Sequence, residues 1–525
     1  MKTLDFLHGT TIAVAVVVMV SCGSAPRGSG SVGLTGVSKA VPCATMVSGR
    51  VFCGEKGVGG VVVTDGYDFT STASDGTYSL PVDYRARFVY ISTPSGYLPP
   101  CNGSRPLFYK RLAVLKKKAG IGRDVALSCD FELYRNPYDD FHHTFAVDAD
   151  VQMTSFGELN SFKPIYEEQC RYLDGISGDK FVLDCGDIVG DSPQIYPGYL
   201  NVTDAGGYPS YRTIGNHDMN YYGPDFESSY TRFESYFGPV CYSFNRGRAH
   251  YLVVDDCFYF GRDYYYMGYF DHAVLDFIRH DLEHVPKDRL LIVLFHIPAS
   301  LTEKQLPFEY SYSPIADQCV NATALYDLVK GYDTHLISGH MHYNLNIVHS
   351  DSLYEHNTAA VCGTWWCGDI CLDGTPQGYG IYTVDGTGLK WTYRSAGHDP
   401  DYQFRAYPVG DYSAIVPSGN SSVNSSEVDF SNCFVVNVWN WDKAWKVEWY
   451  ENGILAGSMR RFTGLDPAAL ALCSDKKKIK YDWISPIPNG HMFAATPKDP
   501  DARIEIRVTD RFGKVVKAPV GQASR

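Results

Sequence analysis

Five short stretches of this 525-residue chain end in side chains able to hold cations or carry protons. In order they are Asp150 with Gln152, Gly186-Asp187, Gly215-Asn216-His217-Asp218, His296, and Gly339-His340-Met341-His342. Each stands just after an apolar run of strand length, and in open α/β sheets ligands bind in the crevice beyond the carboxyl ends of the strands. A glycine before Asp187, Asn216 and His340 permits a sharp backbone turn, so the next side chain can swing out of the sheet toward a shared point. His340 and His342, straddling Met341, can serve adjacent centres. Carboxylate and amide oxygens mixed with imidazoles suit a pair of divalent ions such as Mn, Fe, Zn or Mg, whereas thiolates would favour softer metals. A lone histidine at a strand end is more often structural than ligating. The ordered series carries the reading, not any one member.

The elements that must position these residues follow from hydrophobic period. Strand-length runs at 145–147, 181–184, 211–214, 251–254, 290–295 and 335–338 alternate with amphipathic stretches at 162–173, 273–284 and 322–329, the last with Asn321 as N-cap. That alternation predicts layers of helix on sheet over residues 135–396. Residues 47–134 read instead as short strands and glycine turns, with Asp65-Gly66 and Asp75-Gly76 suited to positive φ, and predict a small Ig-like β-sandwich. The stretches 57–66 and 74–78 resemble transthyretin-like or carboxypeptidase-regulatory-like modules, which usually carry no chemistry. Polar and turn residues mark 397–427 as a linker, and 428–525 returns to β patterns with turns such as Glu451-Asn452-Gly453. The fold class expected is multi-domain: a central α/β block between an N-terminal β-sandwich and a C-terminal β-rich domain.

The ligand series in this order resembles the calcineurin-like metallophosphoesterase family, over roughly residues 144–342, and the whole chain resembles its exported bacterial three-domain members. The resemblance implies that the central block is a β-sandwich flanked by helices. It implies that Asp150, Gln152, Asp187 and His342 hold one metal, that Asp187, Asn216, His296 and His340 hold the other, and that Asp187 bridges them. The chemistry implied is hydrolysis of a phosphomonoester or phosphodiester by a metal-bridging hydroxide, with His217 as proton donor and Asp218 fixing its tautomer and raising its pKa. Gln152 departs from the family, which usually has His there; an amide oxygen is an uncharged, weaker donor. Asp148 competes with Asp150 for the first position, but only Asp150 keeps the two-residue step to Gln152. Two aromatic and glycine-rich segments, 363–369 and 373–379, offer Trp365, Trp366 and Asp373 as substrate contacts, with core or domain interface as the other reading. The rival class is a surface lipoprotein that keeps the fold without turnover, a glycan-binding adhesin.

Composition narrows the partners. Apolar residues at 45% and charged residues at 20% exclude a disordered chain, and the net charge of −13 disfavours nucleic acid. The clusters Lys116-Lys117-Lys118 and Lys476 to Lys480 read as solvated turns. A small phosphorylated substrate is expected, and oligomeric state is left open. Residues 1–21 fit a secretory signal with an apolar stretch too short to span a bilayer. Its end at Met19-Val20-Ser21-Cys22 resembles a bacterial lipobox, which implies cleavage before Cys22, acylation of its thiol and a flexible tether over 22–46. The expected location is the bacterial cell envelope, lipid-anchored, with plain secretion as the alternative; membrane contact would run only through that anchor. Fifteen cysteines less Cys22 leave an even number, which would suit disulfides in an exported protein.

Overall fold

A computed structural model describes residues 45–119, 126–302, 311–416 and 429–521. The signal segment and Cys22 lie outside the described residues, as do all but two residues of the tether and part of the expected linker.

The central block runs β1 (His142–Asp148), α1 (Leu159–Asp174), β2 (Asp179–Asp184), α2 (Tyr196–Gly206), β3 (Ser210–Arg212), β4 (Tyr242–Arg246), β5 (Ala249–Val253), α3 (His272–Leu282), β6 (Leu290–Leu294), α4 (Ala322–Val329), β7 (Asp333–Ser338), β8 (Leu345–Ser350), β9 (Leu353–Asn357), β10 (Gly378–Asp385) and β11 (Gly388–Ser395). Its strands form two sheets, in the orders β3-β2-β1-β10-β11 and β4-β5-β6-β7-β9-β8. Within them β1, β2 and β3 are parallel, as are β5, β6, β7 and β9. All five ligand-bearing strands therefore discharge at the same end of the sandwich.

Side-chain alternation explains the layering. Phe145 and Phe181 point into the gap between sheets, where Phe145 stacks on Tyr382 at 5.0 Å and Phe181 meets Tyr251 edge-on at 5.3 Å. Their neighbours Ala146 and Val182 face the other way, into a cluster with Phe162, Ile165 and Tyr166 of α1 and Tyr199 of α2. The buried positions of α1, Phe162, Ile165, Tyr166, Gln169 and Leu173, keep the three-and-four spacing of one helix face. Asn321 precedes α4 as expected but makes no cap. Its side chain instead clamps Phe270, accepting from the amide at 3.0 Å and donating to the carbonyl at 2.8 Å.

The N-terminal segment forms two facing sheets, one built on Thr45–Cys53 with Thr77–Val82, the other running Tyr109–Arg111, Phe88–Ile91, Val62–Thr64, Phe69–Ser71. Its core is continuous with that of the central block, with Phe108 packed 4.7 Å from Tyr242. Two further sheets make the C-terminal part. Here the expected linker needs correction: Phe404–Tyr407 is an edge strand antiparallel to Phe434–Val438, and Asp411–Ile415 is a short helix. Polar composition suggested a tether, but Phe404 and Tyr407, on opposite faces of the strand, are each buried in a separate apolar cluster. The expectation of disulfides is corrected too, since all thirteen cysteines among the described residues are free thiols. Parity counts cysteines without regard to whether their Cβ atoms can meet.

Candidate metal centre

Asp187 lies at the focus of the strand ends, 1% exposed. Its Oδ1 accepts from the His217 backbone N–H at 2.8 Å, while Oδ2 faces Gln152 Nε2 and His296 Nε2, each at 3.3 Å. Asp187, His296 and His340 each present one ligand atom, all within 4.8 Å of one another. Hydrogen bonds fix which imidazole nitrogen points inward. His296 Nδ1 donates to the Cys185 carbonyl at 2.7 Å and His340 Nε2 to the Ala316 carbonyl at 3.1 Å. The remaining nitrogens, His296 Nε2 and His340 Nδ1, then face each other at 3.2 Å, with Asn216 Oδ1 3.1 Å from the former. His340 Nδ1, the Asn216 amide oxygen and, once its proton is displaced, His296 Nε2 converge beside a buried carboxylate as a donor set for a divalent cation.

The neighbouring group is Asp150, Gln152 and His342. Asp150 accepts the His340 backbone N–H on both oxygens at 3.0 and 2.9 Å, and His342 Nε2 lies 3.7 Å from its Oδ1. Gln152 Oε1 is buried and has no hydrogen-bond partner among the described residues, the position of an oxygen that fits a second cation. Asp148, the competing aspartate, faces the helix layer and accepts from Gln169 Nε2 at 3.0 Å. The residues present therefore fit divalent metal.

Backbone strain marks the same spot. Asp150, Gln152, Asp187, His340 and His342 all adopt left-handed φ, from 41° to 73°. Non-glycine residues rarely do so, and a concentration of them at one point is typical of a functional site. The glycines act differently from expectation. Gly186 is itself left-handed at 88°, but Gly215 and Gly339 serve close approach: a Cβ on Gly215 would lie 2.2 Å from Asp187 N and Oδ1, and one on Gly339 2.7 Å from Asp150 Oδ2.

Electrostatics suit ligation. Burial holds His342 down to about 3, and burial with the charge of His296 holds His340 well below the ordinary imidazole value, so both are neutral, the ligating form. Burial opposes charge on His296 as well, but the facing carboxylates of Asp187 and Asp150 raise it to about 10. Burial pushes Asp150 up to about 8.

The expected partnership of His217 with Asp218 is corrected. His217 Nδ1 donates to Asp191 Oδ1 at 3.0 Å, leaving Nε2 on the open side. Asp218 points away and gathers backbone: it accepts from Gly215 N, Ile188 N, Val189 N and Tyr196 Oη at 3.0, 3.2, 3.3 and 2.8 Å. Burial and the charge of Asp187 raise it to about 7. Sequence adjacency misled because Asn216–Asp218 is a single 3-10 turn, which sends consecutive side chains in different directions. A second residue was also missed. Asp256 accepts the His296 and Ile297 amides, both at 3.0 Å, and so sets the ligand's backbone. It stands after β5, the one strand of the six credited with no ligand.

Among the expected substrate contacts, only Trp365 lies over the centre, stacked on His342 at 4.2 Å. Trp366 is pinned through Nε1 to the Val151 carbonyl at 3.0 Å. Asp373 is fully buried in a domain-joining network with Thr375, Asn344 and His491, which corrects its assignment to the pocket. Trp483, from the C-terminal domain, meets Trp365 edge-on at 4.7 Å and stays exposed. Lys480 ties that segment down by bonding Glu158 at 2.6 Å and the Trp365 carbonyl at 3.2 Å.

A two-sheet α/β sandwich with carboxylates, amides and imidazoles gathered at its strand ends is an arrangement suited to holding divalent metal. Residues 45–123 match the family described as the N terminal of calcineurin-like phosphoesterase, and residues 355–515 match the C terminal of calcineurin-like phosphoesterase. Both matches are to calcineurin-like phosphoesterase, and they support a metal-dependent hydrolase of phosphoesters in general terms. A search of curated proteins found no match. Similar solved structures include a dimetal phosphatase from Danio rerio, at 13% identity over 48% of this chain and 96% of that one, with a TM-score of 0.33. A purple acid phosphatase from yellow lupin (Lupinus luteus) seeds is 13% identical over 64% and 67%, with a TM-score of 0.35. A 5'-nucleotidase from Candida albicans is 12% identical over 49% and 51%, with a TM-score of 0.28.

Proposed function

We propose that the protein is a binuclear phosphoester hydrolase acting on a small phosphorylated substrate. Asp150, Gln152, Asp187 and His342 would hold one divalent ion and Asp187, Asn216, His296 and His340 the other. A cation pair there would neutralise charge on the phosphoryl oxygens and activate a water. The rest falls to the chain's own groups. His217, anchored at Nδ1 by Asp191, presents Nε2 to the mouth of the site, where it donates a proton to the leaving oxygen. Trp365 covers His342 and, with exposed Trp483, offers a flat apolar wall to the leaving group. The observation that carries the reading is the inward pairing of His296 Nε2 and His340 Nδ1 beside Asp187, with their outward nitrogens committed to carbonyls. Export and anchoring through Cys22 belong to the proposal and rest on the lipobox resemblance.

Metal analysis with paired assays on p-nitrophenyl phosphate and bis(p-nitrophenyl) phosphate, under Mn, Fe, Zn and Mg in turn, tests it. Turnover of either ester that disappears on chelation is expected. No turnover of either with any metal would defeat the hydrolase reading and favour a binding protein.

A further inference from the structure

A cavity of about 510 Å³ opens between the N-terminal sandwich and the central block, and no residue of the metal centre lines it. Its volume falls in the range of small-molecule sites. The floor and walls are aromatic, with Phe88, Tyr90, Phe258 and Phe277 among them. Two arginines line it, but both are already engaged. Arg87 grips Glu234 with two bonds at 2.7 and 3.1 Å and lies over Tyr230, while Arg85 pairs with Asp83 at 2.9 Å and lies over Tyr67.

The carboxylates are not balanced in the same way. Asp65 spends both oxygens on backbone amides of its own turn and of Asp83. Asp271 uses Oδ2 as the cap of α3, accepting from Ala273 N at 3.2 Å. Asp255 is 1% exposed, and the one hydrogen bond to its carboxylate among the described residues is from Cys257 N to Oδ1 at 2.9 Å. Its Oδ2 is left to the cavity that it lines. Burial, with the charges of Asp256, Asp271 and Glu234 adding to it, drives this carboxyl well above the usual range. A buried acid with a free oxygen, crowded by other acids and ringed by aromatic faces, lacks one thing, a cation with N–H groups to donate.

We propose that this cavity is a binding site for a primary ammonium group carried on an aromatic or similarly flat apolar body, with Asp255 Oδ2 accepting from the ammonium. The ammonium would sit against Asp255 and Asp271, and the ring against Phe258 and Phe277. Arg85 and Arg87, held by their own carboxylates, leave no free charge for an anion. The site is independent of phosphoester turnover, although Asp255 adjoins Asp256, which holds the His296 amide.

Titration calorimetry on the full chain with phenethylamine tests the assignment, with uncharged phenethyl alcohol as control. One saturable site is expected below about 1 mM for the amine, with the alcohol at least about tenfold weaker. Asp255→Asn, nearly identical in shape, is expected to weaken the amine about tenfold or more. Tyr67→Ala, at the half-buried rim, provides a second variant should the first lose its fold, and is expected to cost several-fold through the lost aromatic face. No saturation by about 10 mM, equal binding of amine and alcohol, or amine affinity untouched by Asp255→Asn would overturn the assignment.

Discussion

Asp191 and His217 hold each other twice: His217 Nδ1 donates to Asp191 Oδ1 at 3.0 Å, and the Asp191 backbone N–H returns to the His217 carbonyl at 3.2 Å. Two such bonds fix both the position and the tautomer of the imidazole, so Nε2 is the nitrogen that meets substrate. Asp191→Asn keeps the shape but weakens the orienting bond. It is expected to lower kcat about 10- to 100-fold while metal content and KM stay near wild type. An unchanged kcat would remove Asp191 from the mechanism.

Asp218 should behave otherwise. Its two oxygens collect three amides from the loops that carry Asp187 and Asn216 and the hydroxyl of Tyr196 at the start of α2. Asp218→Asn turns an amide nitrogen toward at least one backbone N–H that can only donate. A loss of about 2–4 kcal/mol in folding stability is expected, with metal retention falling alongside. A variant of wild-type Tm and metal content that turns over slowly would instead return Asp218 to the catalytic role first read for it.

Gln152 Oε1 is a buried ligand-side oxygen with no hydrogen-bond partner among the described residues. Replacing it with leucine removes that oxygen at similar volume, and one equivalent of metal is expected to bind about 10- to 100-fold more weakly while the other is retained. Gln152→His, with a stronger donor, is expected to tighten the same equivalent. Stepwise metal titration reads both. Equal weakening of both equivalents in the leucine variant would show that Gln152 does not belong to one site alone.

The convergence of the candidate series was legible because its members follow strand ends at short range, so local spacing was enough to single out Asp150, Asp187, Asn216, His296, His340 and His342 as residues that meet. Roles that depend on which distant groups meet were not. Asp191 reaches His217 only after the chain has turned out of β2, and no pattern in 187–191 announces that. Trp483 comes to Trp365 from another domain. Asp373 looked like a loop contact because glycines and aromatics surround it, yet its burial comes from Asn344 and His491, far away in the chain. Asp256 did carry a signal. It occupies the place after β5 that a ligand occupies after the other five strands, and it supports one instead.

Acid should unfold the protein through a histidine pair away from the metal centre. His335 and His356 lie side by side on β7 and β9, with Nδ1 of the first 2.9 Å from Nε2 of the second. Tyr354, Tyr382 and Trp391 wall them in, and the Arg511 guanidinium lies over Tyr354 and Trp391. Burial, and then Arg511, hold His335 down to about 3; burial, the charge of His335 and Arg511 hold His356 well below its ordinary value. Unfolded, both titrate near 6.5. Between these limits the unfolded chain binds protons that the fold refuses, so stability is complete above about pH 6.5 and falls as the pH drops toward 3. Each refused proton contributes about 1.4 kcal/mol per pH unit. Urea midpoints across that window should therefore fall steeply. In His335→Gln/His356→Gln the slope should lessen by up to two protons, about 2.7 kcal/mol per pH unit. Identical slopes in the two proteins would mean that the pair takes up protons without unfolding, and that other groups govern the acid transition.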